Sequence, residues 1–174
     1  QVRNFLSTIN HRIDKIENID LCIQYLPTKT KANFSEECFD AINDETATLC
    51  LSLQTTFGLT LSESFRFSPG IHLRKGHVMI TRDITTNGFD RMIPIEEENQ
   101  TSILSAAESL LPQCKNLIQI FGYDDIRTRY RLSVKKSGLT PSVNYRNIYA
   151  KHRLPKLSEK HEALIAKEIL KQEM

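Results

Sequence analysis

The sequence predicts an α+β fold, mainly α with a small antiparallel β-sheet, on three observations. Apolar residues recur at helical spacing over most of the chain, and only one stretch shortens to the two-residue period of strands. That stretch is a pair of short runs joined by turn formers. With 174 residues, 40% hydrophobic and 25% charged, the chain supports one principal domain with a sizeable core.

From Val2 to Leu26 the apolar residues Phe5, Ile9, Ile13 and Ile16 fall on one helical face until Pro27 stops the pattern. Thr28 to Lys31 reads as a linker. The organisation expected is therefore an N-terminal helix and linker over 1–26, then the main domain over 27–174. Ser35 suits a helix N-cap, with Glu36 and Glu37 favourable in the first turn of a helix through Phe39 and Ile42. Asp44 or Glu45 opens the next helix, which runs through Leu49, Leu53 and Phe57 to a closing Gly58. A helical turn from Leu61 to Phe67 ends before Pro69-Gly70.

The period then changes. His77 to Thr81 and Arg91 to Ile95 read as two strands, with the turn formers Thr85-Thr86-Asn87-Gly88 between them. Helical spacing returns from Gln100 to Leu111, from Asp124 to Lys136 before Gly138, from Ser142 to Leu154 and from Ser158 to Lys171. Leu157, Leu164, Ile165 and Ile169 are expected along one side of the last helix. Glu96-Glu97-Glu98 is the acidic start of a helix.

Composition excludes several classes. No apolar run approaches the ~20 residues of a membrane span, and Gln1 to Leu6 is too polar for a signal sequence. A cytoplasmic protein is expected. Cys22, Cys38, Cys50 and Cys114 are scattered without a ligand spacing, and His152 and His161 lack partners at such a spacing, so neither metal nor cofactor is expected. Net charge is only +2, but it is segregated: Lys115 to Lys160 holds eleven cations and three anions, whereas Ser35 to Glu63 holds six acids and no Lys or Arg. A cationic half of this kind suits a nucleic-acid partner, because each neutralised phosphate releases counterions, and it equally suits a solvated helical surface.

Three segments carry a family resemblance. Phe57-Gly58-Leu59-Thr60-Leu61-Ser62-Glu63 is similar to a Gly-Leu-Arg-x-x-Glu turn. Ile84 to Ile95, with Arg91-Met92-Ile93-Pro94, is similar to a hairpin whose glycine-rich turn holds a lysine before an Arg-x-x-Pro strand. Ser137 to Ala150 is similar to a His-x-x-Arg-His helix start followed by an aromatic and alanine. In this order, and over roughly residues 28 to 155, they resemble the catalytic domain of the tyrosine recombinases, the phage-integrase family.

The resemblance implies a fold of that type and a chemistry in which two arginines clamp the scissile phosphate. A lysine protonates the leaving oxygen, histidines assist, and a tyrosine lying beyond the last helix of this chain attacks. Here Thr60 stands at the first arginine position, Thr86 at the lysine, Val143 and Asn147 at the two histidines, and Arg146 alone keeps its catalytic identity. Each lost charge contact costs about 10²–10³ in rate. Tyr145 and Tyr149 are read as packing residues rather than nucleophiles.

The expectation is thus a DNA-binding, integrase-like domain of a mobile element, tied to DNA integration and recombination but without strand cleavage. Its partner is double-stranded DNA in the nucleoid, joined by an active integrase or by a second copy docking through the C-terminal helix. Arg74, Lys75, Arg91, Lys135, Lys136, Arg146, Lys151, Arg153 and Lys156 are the expected DNA contacts. Arg127, Arg129 and Arg131 alternate on their helix, so at most two share a DNA face. Arg146 has a second reading, a salt bridge with Glu63. Two other functions stay open: an active recombinase whose missing charges come from Arg91 or Lys75, and an interaction scaffold that has abandoned DNA.

Overall fold

The computed structural model describes residues 35–112 and 114–174. The expected helix over Val2 to Leu26, its linker and the boundary at 26/27 lie outside them. The described elements run α1 (Glu36–Asp40), α2 (Glu45–Phe57), α3 (Leu61–Arg66), α4 (Pro69–His72), β1 (Leu73–Arg74), β2 (His77–Ile80), β3 (Arg91–Pro94), α5 (Glu98–Leu110), α6 (Leu117–Phe121), α7 (Tyr123–Lys136), α8 (Arg146–Lys160) and α9 (Ala163–Glu173). The chain is mainly helical with one three-stranded antiparallel sheet, ordered β1-β2-β3. None of the described helices is long and apolar enough to cross a membrane.

Helix α2 is central because it is buried on most of its faces, with Ala47, Cys50, Leu51, Leu53 and Phe57 all at 1% exposure or less. Asp44 caps its start by accepting from the Ala47 N–H at 3.0 Å. Helices α5, α7 and α8 all pack against α2. Helix α7 buries Ile126, Tyr130 and Val134, four residues apart each time, and the Tyr130 hydroxyl accepts from Gln54 Nε2 of α2 at 3.2 Å.

Gly58 closes α2 in the left-handed region at φ +62. A Cβ there would lie 2.6 Å from the Tyr149 ring of α8, so the bare backbone is what lets the two helices meet. Gly58→Ala is expected to cost about 2–4 kcal/mol, combining left-handed strain with overpacking. Urea denaturation checks this, and an unchanged midpoint would mean that α8 has room to stand off.

In the sheet, Val78 and Ile80 of β2 face the core. Arg91 pairs with Ile80 and Ile93 with Val78. The two-residue period therefore sends Arg91 inward beside Ile93 and leaves Met92 59% exposed. Gln100 of α5 ties the end of β3 to the helix, accepting from the Glu96 and Glu97 N–H groups and donating to the Pro94 carbonyl.

Four expectations need correction. The sheet has a third strand, β1, which precedes the Lys75-Gly76 turn and is too short to show a period. The turn from Leu61 does end before Pro69-Gly70, but that pair also opens the unexpected α4, since proline has no N–H to lose in a first turn. The helices expected over 142–154 and 158–171 are redrawn: α8 continues through Pro155 to Lys160, and the break falls at His161. Finally, α9 buries Ala166 and packs Leu170 and Met174 on the core, while Leu164 and Ile165 stand 80% and 50% exposed.

Candidate functional site

The three sequence segments meet around one carboxylate. Thr60 is the N-cap of α3: its hydroxyl accepts from the Glu63 N–H at 3.2 Å, and Glu63 Oε2 accepts from the Thr60 N–H at 2.7 Å. This reciprocal capping box fixes the Glu63 side chain beneath the turn. From β3, Arg91 reaches the same carboxylate with both terminal nitrogens, Nη1 to Oε1 at 2.8 Å and Nη2 to Oε2 at 2.6 Å. The two side chains are only 5% and 2% exposed.

Arg146, the first residue of α8, completes the group. It is close enough to Glu63 and Arg91 to be stabilised by the one charge and destabilised by the other. Its Nη2 donates to the backbone oxygen of Met174, and its Nε is buried without a hydrogen-bond partner, as is Arg91 Nε. Burial is the main influence on Arg146 and lowers its pKa, Arg91 adds to this, and Glu63 opposes it. The cluster holds two guanidinium groups and a single carboxylate.

Thr86, Val143 and Asn147, the other positions singled out by the resemblance, do not join it by any hydrogen bond among the described residues. Thr86 is exposed on the connection between β2 and β3. Val143 is partly buried and packs against the core, and Asn147 is half-buried. Tyr145 is 1% exposed, with its hydroxyl donating to the Thr140 carbonyl and accepting from the Thr140 N–H.

A second cluster joins α8 to α9. Arg153, only 8% exposed, donates from Nη2 to Glu173 Oε1 at 2.8 Å, from Nε to Glu173 Oε2 at 2.9 Å, and from Nη1 to Glu96 Oε2 at 2.7 Å. The Tyr149 hydroxyl donates to Glu173 Oε2 at 2.5 Å. Burial chiefly, and then Glu173, pushes the Tyr149 phenol well above its ordinary range.

These contacts sort the expected DNA residues. Arg91 and Arg153 are corrected: both are buried and face carboxylates of their own fold, so neither presents a guanidinium to a duplex. The same burial counts against the expectation that Arg91 makes up for a charge absent elsewhere. Arg146 lies beside Glu63, but the direct salt bridge to Glu63 is made by Arg91. Lys156 is half-exposed and pairs with Glu97 at 2.6 Å. Arg74, Lys75, Lys135, Lys136 and Lys151 are exposed.

An exposed row of cations lies on α7. Arg127, Arg131 and Lys135 each follow one residue after the buried Ile126, Tyr130 and Val134, so they form an exposed stripe with about 6 Å of rise between neighbours. Among the described residues none of the three makes an ion pair. Arg129 leaves the stripe and lies 4.9 Å from the Phe121 ring centroid.

Acid is expected to loosen this arrangement. Burial would raise Glu63, but hydrogen bonds from Arg91 and Thr60 and the nearby guanidinium charges outweigh it and hold the carboxyl below its ordinary 4.5. The hydrogen bond from Arg153 lowers Glu96 from the same value. Burial lowers His72 from 6.5. Depressed carboxylates give stability that is complete above their unfolded values and lost as pH falls through the folded ones; a depressed histidine also loses stability once pH drops below 6.5. Urea midpoints should fall from about pH 6.5 and steepest below about pH 4.5, and a midpoint rising over that window would contradict the assignment.

No family model, curated protein or solved structure matches this chain.

Proposed function

We propose that the chain is a DNA-binding, tyrosine-recombinase-like domain of a mobile element, tied to integration and recombination but without strand cleavage. The observation that carries the reading is the exposed, unpaired stripe of Arg127, Arg131 and Lys135 on α7. Three cations a helical turn apart, on a rigid element, suit successive phosphates of a duplex better than they suit an acidic protein surface with irregular spacing. The resemblance to the recombinase catalytic domain adds weight, because Glu63, Arg91 and Arg146 come from its three separate segments and meet at one point.

Loss of cleavage follows from the side chains. Thr60 and Thr86 carry no charge, Arg91 is held by Glu63, and Arg146 is largely buried with its Nη2 turned to the Met174 backbone oxygen, so no full clamp is left for a phosphodiester. The domain would act in the nucleoid by occupying recombination sites. It would also contact an active integrase or a second copy through α9, whose Leu164 and Ile165 are free for such a contact.

Fluorescence anisotropy with a labelled duplex, titrated over a range of salt, tests the reading. Affinity should fall steeply with salt, and replacing Arg127, Arg131 and Lys135 by alanine should reduce the log–log slope by about 0.9 per cation. A suicide half-site duplex should trap no covalent adduct. Affinity indifferent to salt would overturn DNA binding, and an adduct would overturn the loss of cleavage.

A further inference from the structure

We draw no further inference here: the strongest candidate, the pair of adjoining recesses of about 450 and 470 Å³ beside α2 and α5, the second bounded also by α8, which share Ser52 and Ile103, carries nothing because nothing in the structure shows what covers them.

Discussion

Arg91→Met is expected to lower folding stability by about 3–5 kcal/mol, read as a drop in the urea midpoint at neutral pH. Removing the guanidinium leaves the Glu63 carboxylate 2% exposed, with the Thr60 N–H as its remaining direct donor and Arg146 as a nearby charge. An uncompensated charge in that position costs more than the intact pair contributes, because desolvation of the survivor is no longer offset. The companion variant separates the two effects. Glu63→Gln combined with Arg91→Met removes the stranded charge while glutamine still accepts at the helix cap, so most of the loss should be recovered. If the double variant is no more stable than Arg91→Met alone, packing of the arginine stem is what matters.

Arg153→Met should produce a loss of similar size, about 3–5 kcal/mol, for a related reason. Glu173 would stay buried with only the Tyr149 hydroxyl as donor. Glu96 is a lesser concern, since its side chain is 40% exposed and water can replace the lost partner. The effect should be local before it is global: hydrogen exchange of the α9 amides should speed up in Arg153→Met more than exchange in α2. Uniform acceleration across both helices would mean that α9 does not open on its own. Lys156→Met is the control, because its pair with Glu97 is half-exposed on both sides and its loss should be small.

Much of the framework was readable from periodicity. The closing Gly58, the short apolar runs of β2 and β3 on either side of turn formers, and the four-residue spacing of the apolar positions of α7 all announce their elements. What escaped has identifiable causes. Strand β1 has only two residues and α6 only five, too few for a period. Pro155 reads as a stop, yet α8 continues through it because Tyr149, Arg153 and Leu157 bury one face on both sides of the proline.

The site was less legible than the fold. Thr60-Leu61-Ser62-Glu63 has the form of a capping box, so the tie between Thr60 and Glu63 could be read locally. The partner of Glu63 could not. Arg91 lies twenty-eight residues away on a strand whose two faces look equally plausible until the sheet is packed. Arg153 and Glu173 look like ordinary surface charges in polar helical patterns, and only the return of α9 onto α8 turns them inward. A long cation in a basic run is a poor guide to DNA contact for this reason: Arg153 and Lys151 sit two residues apart, one buried and one exposed.

The hydroxyl of Thr60 limits what can stand at this position. It caps the start of α3, a task worth about 0.5–2 kcal/mol, and it does so in concert with a glutamate already committed to Arg91. An arginine at that address would surrender the cap and add a cation beside a cluster that already holds two guanidinium groups and a single carboxylate. A short neutral side chain is thereby held in place by the neighbours fitted around it.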